Sequence, residues 1–286
     1  MPKTPYTLTM PSTRTTSVVF ASPHSGRDYP WSFTRRSVLD ECAIRSSEDA
    51  FVDRLYAAAP DYGAPFLAAN APRAFVDMNR AAEDLDPALI KGLRKTGQNP
   101  RVASGLGVIP RVVAGGREIY RGKLTLGEAQ GRLTDHWHPY HRKLQELLDG
   151  SLALFGEAIL IDCHSMPHEA IDNLCRNQRR KPEVVLGDRF GSSASAEIVD
   201  RIEAAFAAAG FSVARNAPFA GAYMVQHYGR PSRGQHVVQI EIDRSLYMNE
   251  RKIRPNGNFS HLQAILTEII SEVADIGRSK LPLAAE

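Results

Sequence analysis

The sequence predicts an α/β fold, a mixed β-sheet flanked by helices, on two observations. Apolar runs of strand length alternate with longer stretches of helical period along most of the chain. Hydrophobic residues make up 43% and charged residues 23%, a balance that supports a packed core and argues against wholesale disorder. At 286 residues the chain is expected to form one α/β domain over 1–286.

The first expected strand is SVVFAS at 17–22, followed by a predicted helix over EDAFVDRLYAAA at 48–59 and a second strand in APFLAAN at 64–70. Residues 81–127 are rich in Gly, Arg and Pro with little periodicity, and a loop of that length in a compact domain is usually functional. Leu133, Trp137, Tyr140, Leu144 and Leu147 recur at helical spacing, which predicts an amphipathic helix over 128–149 with one buried stripe. EAILIDCH at 157–164 reads as a short buried strand. EVVLGD at 183–188, a helix near 193–209, FSVAR at 211–215, VVQIEID at 237–243 and a helix near 260–276 complete the alternation.

Charge and cysteine usage exclude several classes. Thirty-five Lys and Arg oppose 32 Asp and Glu with no long run of one sign, so no nucleic-acid partner is expected. Cys42, Cys163 and Cys175 show no C-x-x-C spacing, which argues against a disulfide framework and fits a reducing, cytoplasmic setting. No apolar stretch approaches the roughly 18 residues of a membrane span, and no secretory leader is recognisable, so no membrane partner is expected. The absence of G-x-S-x-G, P-loop, G-x-G-x-x-G and HExxH patterns weakens serine hydrolase, nucleotide hydrolase, dehydrogenase and zincin readings.

In an open α/β sheet the chemistry gathers at the carboxyl ends of strands. His24 in FASPHSG leaves the first strand, with Gly26 allowing a tight turn, and Asp162 and His164 in LIDCHSMP project to one side if the strand persists. Catalytic zinc takes about three nitrogen or oxygen ligands with one position left open, and His24, His164 and a carboxylate from Glu48 or Asp49 meet that need. Helix capping is the competing explanation for the acidic pair. In VQIEIDR, Gln239, Glu241 and Asp243 share one face; a buried Glu241 requires a metal, a proton or a basic partner such as Arg244. Arg73, Asp77, Asn79 and Arg80 cluster in APRAFVDMNR, either as a carboxylate clamp from Asn79 and Arg80 or as an Arg–Asp ion pair. In DHWHPYHRKL, His141 lies beside the buried stripe and His138 outside it.

Read in order, PHSGRDYP, SEDAFVDRLY, FVDMNRAAED, PYHRKL, DCHSMP and GQHVVQIEIDRSLYMNE resemble the N-formylglutamate amidohydrolase family over roughly residues 18–250. The resemblance implies a zinc-exopeptidase-like architecture related to carboxypeptidases and aspartoacylases, and one zinc ion held by His24, Asp49 and His164. The carboxypeptidase H-x-x-E is missing because Arg27 stands at the Glu position, so Glu48 stays open as the acidic ligand. It further implies that Glu241 is the catalytic carboxylate, that Asn79 and Arg80 grip substrate carboxylate, and that Arg73 polarises the scissile carbonyl. Tyr140, His141, Tyr223 and His236 fall on family-like positions, with His141 and Tyr223 expected among the substrate-binding residues.

The implied reaction is hydrolysis of a small acidic N-acyl amino acid, by family default N-formyl-L-glutamate. One departure bears on the substrate. NAPFAGAY at 216–223 has Pro218 and Ala220 at positions basic in family members of histidine degradation, and Arg101, Arg111, Arg117 or Arg121 could replace that charge. Three alternatives remain at this point: a hydrolase of another N-acyl amino acid, a peptidase acting at peptide C-termini, and a metal- or ligand-binding protein that has lost turnover. Manganese, iron or cobalt would also suit the ligand set.

Overall fold

A computed structural model describes residues 4–94, 99–174 and 181–278, so Cys175 falls outside the described residues. The sheet has seven strands: β1 (Tyr6–Thr9), β2 (Val18–Ser22), β3 (Phe66–Ala69), β4 (Ala158–Met166), β5 (Val184–Gly187), β6 (Val213–Arg215) and β7 (Gln235–Asp243). Their spatial order is β1-β3-β2-β4-β7-β5-β6. The four inner strands β3, β2, β4 and β7 are mutually parallel. β1 runs antiparallel to β3, and β5 runs antiparallel to β7 while pairing in parallel with β6. The mixed sheet expected from the sequence is therefore present.

Side-chain alternation divides most of the interior into two large clusters, one on each face of the sheet, with a small third around Met166, Ile171 and Val185. Val18, Phe20, Ile159, Ile161, Cys163, Val238, Ile240 and Ile242 point to the first, which also takes the buried stripes of helices Ala196–Ala208 and Phe259–Ile276. Val19, Ala21, Ala158, Leu160 and Val237 point to the second, packed against helix His138–Phe155 and the segment 71–124. Among the described residues, no helix is long and apolar enough to cross a membrane.

The predicted helix at 128–149 lies within a longer helical run. A capping box of Thr125 and Glu128 opens it at Leu126, a π turn spans Leu133–Trp137, and Gly156 in the left-handed region closes it after Phe155. All five residues of the predicted stripe are buried. The helix expected over 48–59 is corrected: only Val52–Leu55 makes a helical turn, because Phe51 sits at φ 68 and breaks the run before it. Edge strand β1 escaped the sequence reading, since YTLT is only four residues long and half exposed.

Candidate active site

At the carboxyl ends of β2, β4 and β7 the second face of the sheet turns from apolar to polar. β4 stays regular to Met166 and is buried throughout, so Asp162 and His164 do share a face. Its register with β7 sets His164 opposite Glu241 and Asp162 opposite Gln239. His24 follows β2 directly, and its loop is anchored by a Ser22–Ser25 hydroxyl bond of 2.8 Å. Gly26 is required there by close approach: an added Cβ would stand 2.2 Å from the carbonyl oxygen of Ala71. The Asp49 amide donates to the carbonyl of His24 at 3.1 Å, and the left-handed turn at Phe51 follows immediately.

These elements bring ligand atoms of His24, Asp49 and His164 within 4.8 Å of one another, all three residues buried. His24 Nε2 lies 2.7 Å from Asp77 Oδ1, and His164 Nε2 lies 2.9 Å from Asp162 Oδ1. Each carboxylate claims the Nε2 proton of its ring, which leaves both Nδ1 atoms as acceptors. His24 Nδ1 is buried with no hydrogen-bond partner, and His164 Nδ1 lies 2.8 Å from Asp49 Oδ2. An orphaned ring nitrogen, a second ring nitrogen and a carboxylate oxygen converging in this way make a donor set that fits a zinc ion. Burial would raise the Asp49 carboxyl, but the closeness of the His164 and His24 rings, with Nδ1 atoms 2.8 and 3.5 Å from Oδ2, outweighs it and holds the group well below the usual range.

The surrounding residues divide by function. Glu48, the competing acidic ligand, is turned away to Tyr29 and Arg45, with Tyr29 Oη donating to its Oε1 at 2.6 Å. Glu241 is buried on β7, where Gln239 Nε2 donates to its Oε1 at 2.9 Å. Burial, reinforced by Asp49, outweighs His164, Arg73 and Arg244 and pushes the Glu241 carboxyl up to about 7. Arg73 Nε donates to Asp77 Oδ2 at 3.0 Å, the ion pair foreseen as one reading of that motif. Asn79 spends its amide on the protein: Nδ2 donates to Asp162 at 3.2 Å, and Oδ1 accepts the Met224 amide at 2.7 Å.

A cavity of about 630 Å³ is lined by His24, Asp49, His164 and Glu241 together with Arg73, Asn79, Arg80, Arg101 and Arg244. Arg80 is buried and donates through Nε to Leu106 O and through Nη1 to Asn79 O, leaving Nη2 without a hydrogen-bond partner among the described residues. Of the four loop arginines proposed to supply charge, only Arg101 lines this cavity; Arg111 is committed to Asp86 at 2.9 Å.

His141, expected among the substrate-binding residues, does not line this cavity. Its ring nitrogens are occupied by Tyr228 Oη at 2.8 Å and Met78 O at 2.9 Å, it packs on Trp137, and burial pushes its pKa down to about 3. Tyr223 lines an adjoining cleft instead of the main cavity. The sequence reading considered Arg244 only as a partner of Glu241 and Asp77 only as a partner of arginine; it did not foresee that Arg244 Nη2 donates to Asp49 Oδ1 at 2.8 Å or that Asp77 orients His24. Asp-x-His marked Asp162, whereas nothing in the spacing links Asp77 to a histidine 53 residues away.

The sequence pattern of the N-formylglutamate amidohydrolase family matches residues 16–248. The chain belongs to the N-formylglutamate amidohydrolase family. It is 34% identical over 217 residues to an N-formylglutamate deformylase of Pseudomonas aeruginosa, covering 75% of this chain and 76% of that one. A Pseudomonas putida protein of the same description is 30% identical over 240 residues, covering 82% of each chain. The crystal structure of an N-formylglutamate amidohydrolase from Ralstonia eutropha superposes with a TM-score of 0.90 at 36% identity, covering 96% of this chain and 99% of that one. The helix-flanked mixed sheet is thus that of a solved N-formylglutamate amidohydrolase.

Proposed function

We propose that this protein is a zinc-dependent amidohydrolase that cleaves N-formyl-L-glutamate to formate and L-glutamate. The observation that supports this reading best is the buried donor set of His24, Asp49 and His164 beside the carboxylate of Glu241, in a cavity that also holds Arg80 and Arg101. A zinc ion held by those three residues would supply Lewis acidity to the attacking water and to the formyl oxygen.

The chain's own residues supply the rest. Asp77 and Asp162 fix the ring tautomers and orientations of His24 and His164. Glu241 accepts a proton from the water that attacks the formyl carbon, then delivers it to the amide nitrogen as the C–N bond breaks. A carboxyl held near 7 suits both roles. Arg73 retains two guanidinium nitrogens beyond its bond to Asp77 and neutralises the charge that develops on the formyl oxygen. Arg80 and Arg101 make no direct salt bridge with a described acid, so their guanidinium groups can turn to the two carboxylates of the substrate. Asn79 acts through Asp162 and the Met224 amide as a positioning residue. The free thiols of Cys42 and Cys163 agree with work in the cytoplasm.

The test is an assay of amide hydrolysis, read as the free amine released, on zinc-loaded protein over N-formyl-L-glutamate, N-acetyl amino acids and peptides. Turnover should be fastest with N-formyl-L-glutamate. Preferred release of C-terminal residues from peptides, or no turnover of any member of the panel, overturns the reading.

A further inference from the structure

Beyond the catalytic cavity lies a second cleft of about 510 Å³ that shares Arg80, Arg101, Gly221 and Ala222 with it and contains none of His24, Asp49, His164 or Glu241. Arg189 and Arg230 complete a basic lining in which Asp84 is the one acid, and that carboxylate already accepts Asn99 Nδ2 at 2.7 Å. The guanidinium groups of Arg101 and Arg189 have no acidic or hydrogen-bonding partner among the described residues. Arg230 is held by its Nη1 to the carbonyls of Gln226 and Gly229, which leaves its other nitrogens for a ligand.

The backbone around Arg189 is arranged at a cost. Arg189 and Phe190 are both left-handed, at φ 51 and 57, as is Asn216 at φ 60. The turn is tied down by the Arg189 amide on Ala220 O at 2.9 Å and by Asn216 Oδ1, which accepts the amides of Asp188 and Phe190 at 3.1 and 3.2 Å. It is therefore fixed to the 216–222 loop that walls the catalytic cavity, and it sets an unneutralised arginine in the second cleft.

We propose that this cleft is an outer carboxylate subsite that admits substrates carrying a further acidic residue, linked by an amide to the glutamate of an N-formylglutamyl group. The inference rests on the function proposed above, in which Arg80 and Arg101 meet the glutamate carboxylates. Because those two arginines border both spaces, the second cleft begins where the glutamate portion ends. A residue joined there places its own carboxylates against Arg189 and Arg230, while the formyl group stays beside Glu241. No new chemistry is needed: the same C–N bond breaks, and the product is the acidic dipeptide with a free amino group.

Steady-state kinetics on N-formyl-glutamyl-glutamate, in its α- and γ-linked forms, against N-formylglutamate test the subsite, using the zinc-loaded wild type and an Arg189→Ala, Arg230→Ala double variant. The wild type should deformylate at least one dipeptide. The double variant should raise its KM about tenfold with kcat little changed, and alter N-formylglutamate kinetics less than about twofold. Titration of unformylated glutamyl-glutamate provides a readout without turnover, and its Kd should rise by a similar factor in the variant. Wild-type turnover of N-formylglutamate with none of either dipeptide overturns the subsite and leaves the proposed function standing. An equal loss on all substrates also overturns it and reduces the arginines to long-range attraction of anions. No turnover of any substrate overturns the proposed function, and dipeptide affinity unchanged by the double variant overturns the subsite on its own.

Discussion

The two faces of β4 and β7 are built from the same buried strands and carry opposite chemistry. On one face Ile159, Ile161, Cys163, Val238, Ile240 and Ile242 pack under two amphipathic helices, where each buried methylene adds to stability. On the other, Ala158, Leu160 and Val237 give way to Asp162, His164, Gln239 and Glu241, all buried and polar. Such groups cost free energy unless hydrogen bonds or a cation compensate them. The bonds exist for Asp162, Gln239 and Glu241, but His24 Nδ1 beside them has none. The contrast teaches that the first face holds the sheet together and the second spends part of that stability on a site.

Substitutions that separate stability from turnover test this division, and the largest effect is expected at Glu241. Glu241→Gln should lower kcat about 10²- to 10⁴-fold, the usual worth of a general base. Its fold should not suffer. The folded carboxyl titrates at about 7, above its unfolded value, so its contribution to stability declines as pH rises toward 7 and is a penalty above it. At pH 8 the variant should therefore unfold at a denaturant midpoint equal to or above wild type; a large fall would place Glu241 among the stabilising groups. Ile240→Ala, its neighbour on the opposite face, should cost about 2–5 kcal/mol in denaturant unfolding while activity per folded molecule persists.

Smaller effects sharpen the second face. Asp162→Asn should weaken zinc affinity about 10- to 100-fold in chelator competition, because the ring of His164 loses the carboxyl oxygen that orients it. The pH profile is gentler still. With Glu241 held up to about 7, its base form is depleted as pH falls, so kcat/KM should drop about tenfold per unit on the acid side, and a Glu241→Gln variant should lack that limb.

How much of this was legible in the sequence follows from the same contrast. The first face announces itself through alternation in VVQIEID and AILIDCH, and the period of 133–147 gave the long helix, because burial of apolar groups is a local and repetitive signal. His24, His164 and Glu241 were legible as polar residues at or near the carboxyl ends of apolar strands. The pairings of Asp77 with His24 and of Arg244 with Asp49 were not, since the tertiary fold alone brings those partners together. The choice between Glu48 and Asp49 turned on backbone geometry: the Phe51 turn ends any helix there, and Glu48 goes to Tyr29 and Arg45. Nor do the letters around His141 show that both its ring nitrogens meet core partners, Tyr228 and Met78, since these lie 87 and 63 residues away in the chain.

Zinc stoichiometry measured on purified wild-type protein and on a His24→Ala variant, alongside formate release from N-formyl-L-glutamate, tests the central claim most directly. One zinc per wild-type chain is predicted, with both metal and turnover lost in the folded variant. Deformylation by metal-free wild-type protein, or full zinc occupancy in the His24→Ala protein, would contradict it.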